Sequence, residues 1–245
     1  CSAEEYSDLL ITAFYDIFTP VERCFREHSF APEDIRYCCS IFSLLNVKYL
    51  LSPFSLSMFP FKLINDGPIK IYENPAALPR AFLVGSVSVV ASEEDVVRNL
   101  KSTPYDPAKT AYITKAEAGK CGDEVAALDS FSDNASCRGT VTLQDYTPNR
   151  IALRAKIGKP AMLILADTYY PGWKAFDNGR EVPVLRVNRT LRGVIIKQGE
   201  HDISFVFRPM SLIIGAGLSL LTIAGAVIAL LLTKSRPRVR HTPYK

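Results

Sequence analysis

The chain has 245 residues, 48% of them hydrophobic, and a formal net charge of +4. Lys234, Arg236, Arg238, Arg240 and Lys245 supply five positive charges in the last 12 residues, so residues 1–233 carry −1. A body so close to neutral lacks the electrostatic footprint of a nucleic-acid-binding protein, and no low-complexity tract or internal repeat interrupts it.

The chain opens on Cys1-Ser2-Ala3, without an initiator Met or a signal peptide. This is the form expected of a fragment of a longer membrane protein. A mature lipoprotein acylated at Cys1 is the alternative, and it sits badly with an apolar segment at the other end. Ser2-x-x-Glu5 has capping-box form and SDLLITAFYDIF continues at helical spacing, predicting a helix over about residues 3–18. Pro32-Glu33-Asp34 signals a second helix running to about Leu45, with Pro in the first turn and acids on the helix dipole. Asn46–Leu51 reads as a strand, and Lys62–Glu73 as a hairpin turned at Asn65-Asp66-Gly67. Pro79–Val84 begins another extended run. Ser92-Glu93-Glu94-Asp95 opens a short helix, and Ala111–Ile113 is a further strand. Strands mixed with short helices over residues 31–118 predict a small α+β domain behind an N-terminal helical segment, 1–30.

Gly119–Arg138 is small, polar and partly acidic, and the domain boundary is expected there. From Thr140 the pattern changes to seven short apolar runs about ten residues apart, punctuated by turns such as Pro171-Gly172 and Asn178-Gly179. Spacing of that kind predicts an antiparallel β-sandwich over 119–208, with Asn178-Gly179 as a type I′ turn.

Ser211–Thr233 then runs 23 residues without a charge, against the ~20 needed to cross a bilayer. A helix satisfies its own backbone in lipid, so 209–233 is expected to be a single transmembrane helix. The basic tail 234–245 places the C-terminus in the cytoplasm by the positive-inside rule and the bulk of the chain outside. Anionic lipid headgroups are another use for those charges. Ser211, Gly215 and Ser219 recur every four residues and offer a small-residue face to other spans.

The run Asp167-Thr168-Tyr169-Tyr170-Pro171-Gly172-Trp173-Lys174-Ala175 resembles YfhO-type bacterial membrane proteins. So do Val184–Asn188, Arg192-Gly193-Val194, Gly199-Glu200-His201 and Phe207-Arg208-Pro209, with Leu45–Tyr49 and Glu73–Phe82 upstream. That family is similar to GT-C glycosyltransferases, polytopic enzymes that use lipid-linked sugars. The resemblance implies an extracytoplasmic accessory domain and last span of an envelope glycosyltransferase, contacting the bilayer, other spans and a lipid-linked sugar or envelope glycan. It carries over no catalytic residue, because the family's catalytic acid sits in an early loop with no counterpart here. Whether the parent protein is an enzyme is left open. A membrane-anchored structural or interaction module without sugar chemistry is the alternative.

The candidate binding residues are Asp167, Tyr170, Trp173 and Asp177. Trp173 is the only Trp; its face would stack on sugar C–H surfaces while the acids accept hydroxyl hydrogen bonds. The competing role for Trp173 is a core residue entering a strand after the Pro-Gly turn. His28, His201 and His241 are scattered, with no partners at metal-ligand spacing, and no phosphate loop or nucleophile motif is present, so neither metal nor cofactor is expected. Cys121 and Cys137 flank the polar loop and, outside the membrane, would close it as a disulfide.

Overall fold

The computed structural model describes residues 31–102, 105–122, 124–129 and 139–234. The helix expected over residues 3–18, Cys137 and the tail beyond Lys234 lie outside the described residues. The described residues up to Phe207 form one compact unit, and those from Arg208 a second.

The first unit begins with helix α1 (Pro32–Leu44), its Pro in the first turn and Asp34 accepting from the Ala31 amide at 3.2 Å. Strands β1 (Tyr49–Ser52), β2 (Lys62–Asp66) and β3 (Lys70–Glu73) make a three-stranded antiparallel sheet in the order β1-β3-β2. Asn65 and Asp66 belong to β2, so the hairpin turns one step later than the sequence suggests, at Gly67–Ile69. Strands β4 (Ala81–Val84) and β5 (Ser86–Val90) follow directly. Helix α2 (Glu93–Lys101) starts where expected, with the Ser92 hydroxyl accepting from the Asp95 amide. It carries the chain to β6 (Thr110–Thr114), which pairs with β5 in parallel. Short helices α3 (Lys115–Ala118) and α4 (Glu124–Asp129) fall in and beside the stretch expected to be loop.

The remaining strands are β7 (Gly139–Thr147), β8 (Arg150–Ile157), β9 (Ala161–Thr168), β10 (Trp173–Asp177), β11 (Arg180–Val182), β12 (Leu185–Val187), β13 (Leu191–Ile196) and β14 (Gly199–Phe207). They build a five-stranded sheet, β11-β10-β14-β8-β7, and a four-stranded sheet, β12-β13-β9-β4. All pairings within both sheets are antiparallel. The four-stranded sheet takes β4 from before residue 119 and the rest from after it, so the expected boundary does not separate hydrogen-bonded sheets. Between β10 and β11 both Asn178 (φ 47°) and Gly179 (φ 81°) are left-handed, as a type I′ turn requires. The run VPVLRVN is divided: β11 ends at Val182 in one sheet, and after Pro183 the chain enters the other sheet as β12.

Strand β9 explains its own sequence. Leu163 and Leu165 are wholly buried in a cluster with Ile151, Leu153, Ile203 and Phe205 of the five-stranded sheet. Met162 and Ile164, pointing the other way, join a second cluster with Ile41, Leu44, Val87 and Ile113. A strand covered on both faces reads as an unbroken apolar run rather than an alternating one, and AMLILAD is such a run. Gly139 marks where β7 comes against β4: a Cβ there would stand 2.6 Å from Leu83 Cδ1 and 2.9 Å from the Lys156 carbonyl oxygen.

The second unit is helix α5 (Met210–Lys234), whose window Met210–Leu231 is long and apolar enough to cross a membrane. Thr222 satisfies its hydroxyl by donating to the Leu218 carbonyl at 2.9 Å, a bond within its own helix.

Candidate functional site

Two of the four candidate residues meet at one spot, and a β-bulge puts them there. Along the β9–β13 ladder Leu191 pairs with Thr168, while the next residue, Arg192, pairs with Leu165. Ala166 and Asp167 are therefore extra on β9. A bulge of this kind bends its strand and re-aims a side chain. The Ala166 amide donates to the Arg80 carbonyl at 2.7 Å, and the Asp167 carboxylate turns toward Arg192.

Asp167 accepts from three side chains. Arg192 Nη2 donates to Oδ2 at 2.9 Å and Arg80 Nη1 to Oδ1 at 2.8 Å. The Tyr146 hydroxyl lies 3.1 and 3.2 Å from the two oxygens and itself accepts from Arg80 at 3.1 Å. Burial pushes the Tyr146 phenol above its usual pKa, and the adjacent Asp167 charge pushes it the same way, so it holds its proton and donates. Arg192 is the buried member, its side chain 4% exposed against 12% for Asp167. Burial lowers its pKa, and Asp167 opposes that shift. Its guanidinium carbon stands 3.9 Å from the centre of the Trp173 ring, a close cation–π stack. Its Nε and Nη1 find no acceptor among the described residues.

Trp173 enters β10 from a turn in which its amide faces the Tyr170 carbonyl at 3.4 Å and Gly172 takes φ 101°. Pro followed by a left-handed Gly is the chemistry of a type II turn. The indole is half-buried, packs on the cluster between the two sheets, and lies 5.3 Å from the Phe207 ring, its partner in the β10–β14 register. Tyr170 also contacts Phe207, with ring centres 6.1 Å apart, and is exposed. Tyr146 is exposed as well, and Arg80 lies over its ring at 5.0 Å.

Asp177 does not join this group. It lies at the far end of β10, where both carboxylate oxygens face His201 Nδ1 at 2.8 and 2.9 Å. His201 Nε2 faces the Lys197 carbonyl at 3.0 Å, so both ring nitrogens have an oxygen partner. Cys121 is half-buried, and burial pushes its thiol up to about 11, with Glu124 and Glu117 adding to the rise.

Sequence reasoning missed Arg80, Tyr146 and Arg192. Arg192 carried a usable signal, a cation inside the apolar strand LRGVII. Also missed was a polar knot between α2, α3 and β12. There Arg186 Nη2 stands 2.5 Å from Glu93 Oε1, while Glu117 accepts from the Arg186 amide at 2.9 Å and from Lys120 Nζ at 2.8 Å. Burial raises the Glu93 carboxyl above its ordinary pKa, although Arg186 and Arg189 pull it down.

Hollows among the described residues lie elsewhere, one of about 350 Å³ being lined by Ser43, Leu78, Tyr105 and Pro107. One of about 430 Å³ is lined by Tyr37, Cys39, Leu100 and Tyr105, and one of about 360 Å³ by Thr142, Arg154, Lys156, Asn178 and His201. None of these is lined by Asp167 or Trp173, whose site has Arg192 stacked on the indole. Among the described residues no group of three or more His, Cys, Asp or Glu could hold a metal ion.

The segments meeting at Asp167 and Trp173 are those that carried the family resemblance: Arg80 from Glu73–Phe82, Arg192 from Arg192–Val194, Phe207 from the closing run. Residues 133–219 match the family model of the bacterial membrane protein YfhO. Over that stretch the chain is similar to YfhO. The match spans β7 to β14 and the first part of α5, and so includes every member of the site except Arg80. No curated protein and no solved structure shows significant similarity to the chain. A match to a membrane protein family, together with α5, supports localisation in the membrane.

Proposed function

We propose that the chain is an extracytoplasmic accessory domain with the last span of a YfhO-like envelope glycosyltransferase, and that it binds a saccharide without catalysing its transfer. The observation that carries this reading is the surface around Asp167 and Trp173, where exposed Tyr146 and Arg80 hold the carboxylate. Arg192 joins it to the half-buried indole, and exposed Tyr170 packs on Phe207 next to that indole. Aromatic faces beside planar polar groups suit the alternating C–H and hydroxyl faces of a sugar ring. Asp167 is engaged by three donors and is poorly placed to act as a base, which favours binding over catalysis. The shared cluster of Leu163, Ile203 and Phe205 favours reading the two larger sheets as a β-sandwich. Cys121 would pair with Cys137 once outside the membrane.

Because Trp173 is the only Trp, its emission reports on the site directly. In full-length chain held in nanodiscs, envelope polysaccharide or a lipid-linked sugar analogue should shift that emission. Tyr170→Ala should weaken the response about tenfold, the loss of one stacking aromatic. If neither emission nor calorimetric heat responds to any glycan tested, the sugar reading is wrong.

One observation favours the second reading, a structural or interaction module. Arg192 already covers Trp173 at 3.9 Å and neutralises Asp167, as a clasp between strands would. The titration separates the two, since a clasp leaves the indole indifferent to sugar.

The orientation rests on the five positive charges after Thr233. An alkaline phosphatase fused at Lys245 should be inactive, because that enzyme matures only outside the cytoplasm. Strong activity would reverse the topology.

A further inference from the structure

Two of the hollows meet at Tyr105 and carry free charge at one end only. On α1, Cys39, Ser40 and Ser43 follow Arg36 by three, four and seven residues, so the helix turns all four to one face. Three of the four are small, and Ala76, Pro107 and Ala108 line the same space, so the side chains around it leave it unfilled. The result is a first hollow of about 430 Å³ and a second of about 350 Å³, with Cys39, Ser40 and Tyr105 common to both. Each falls in the range of ~300–1,000 Å³ typical of small-molecule sites.

The fold holds the walls in place. The Tyr105 ring packs on Tyr112 with centres 5.7 Å apart, and its hydroxyl accepts from Asn188 Nδ2 at 3.3 Å. The Leu78 amide donates to the Ser43 carbonyl at 3.0 Å. Leu100 is buried, and Ile35, Cys39, Leu78 and Tyr105 pack half-buried on the larger core cluster, which gives the hollows an apolar base. The first hollow has two exposed cations, Arg36 and Lys101, against one acid, Glu33. Lys101 lies over the Tyr37 ring at 6.0 Å, and neither cation has an ion pair among the described residues. The second hollow has no cation in its lining. Its acid, Asp106, is already occupied, facing Lys109 Nζ at 3.1 Å and accepting from the Ala108 amide at 3.0 Å. Surplus positive charge at one end and an uncharged apolar course at the other complement a molecule with an anionic head and a hydrocarbon tail.

We infer that the two hollows bind one amphipathic carboxylate, its head on Arg36 and Lys101 and its hydrocarbon over Cys39, Ser40 and Tyr105 toward Leu78. A guanidinium offers two parallel N–H donors to the two oxygens of a carboxylate, and the Lys ammonium adds a point charge beside it. The site lies wholly within the unit that ends at Phe207 and is separate from the Asp167–Trp173 surface, so it stands whether or not that surface binds a saccharide.

The test is a calorimetric titration of full-length chain in nanodiscs with octanoate, the heat into empty nanodiscs being subtracted. Octanoate should saturate at one equivalent. Arg36→Ala and Lys101→Ala should each weaken it about tenfold, the loss of one charge-assisted contact. Octanamide, which has the same chain and a neutral head, should bind at least tenfold more weakly than octanoate. Ser40→Trp fills the space common to both hollows and should abolish binding. No saturable heat above that of empty nanodiscs overturns the inference. Equal affinity for octanamide, or octanoate binding untouched by both charge variants, overturns it too, because the cations would then read no head group. Undiminished binding to a folded Ser40→Trp chain places the ligand elsewhere and is equally fatal. Should that variant fail to fold, Arg36→Ala and Lys101→Ala, both at exposed positions, still decide the matter.

Discussion

Asp167→Ala should destabilise the folded unit by about 3–5 kcal/mol, the cost of leaving a buried partner charge uncompensated. Arg192 is the reason. Its side chain is 4% exposed and two of its three nitrogens already lack an acceptor among the described residues, so Asp167 is its counter-charge and no other carboxylate replaces it. The loss should appear as a fall of roughly 10 °C in thermal midpoint for a unit of this size. Arg192→Met should cost less, because it removes the buried cation and leaves Asp167 with Arg80 and the Tyr146 hydroxyl. If the order is reversed, with Arg192→Met the more damaging change, the guanidinium matters as packing on Trp173 rather than as half of an ion pair. A double-mutant cycle on the two positions measures the coupling.

Trp173→Ala is the second large effect. The indole has two roles at once: it packs on the cluster between the sheets, and one of its faces carries the Arg192 guanidinium. Removing a large aromatic from a packed position costs about 3–5 kcal/mol, and the half-exposure of this ring places the expectation at the lower end. Loss of the stack adds a contribution of the size of a desolvated cation–π contact, up to about 2 kcal/mol. Trp173→Phe keeps an aromatic face beneath Arg192 and should recover much of the stability. A melt of Trp173→Ala indistinguishable from that of the parent chain would show that the ring carries little of the fold and would leave a ligand platform as its main role.

Some of this was written locally and some was not. Helix α2 was legible because Ser92 and the acids after it solve the helix-start problem within one turn. The Asn178-Gly179 turn was legible because few residue pairs accept two left-handed positions. β5 was missed: GSVSVV carries no turn signal to separate it from β4, and its partner β6 lies beyond a helix, where periodicity says nothing about pairing. β12 was merged with β11 because the switch between sheets at Pro183 leaves the apolar pattern unbroken. Of the site, Asp167 and Trp173 could be suspected as a polar and an aromatic residue around one Pro-Gly turn. Arg80 and Tyr146 could not, since they reach Asp167 across 87 and 21 residues of chain. Asp177 looked like the equal of Asp167 in sequence and proved to have a private partner in His201.

The place of β14 in the five-stranded sheet has a consequence for biosynthesis. It is the central strand, with β10 on one side and β8 on the other, yet it is the last of the described strands in chain order. Until it arrives, the hairpins β7–β8 and β10–β11 have open edges facing one another and nothing to join them, a condition that invites pairing with other chains. Only Arg208 and Pro209 follow β14 before α5 begins, so the sheet is completed just before the apolar helix is made. A nascent chain stalled a few residues early would thus lack both its keystone strand and the apolar helix, and quality control would meet it as a single defect.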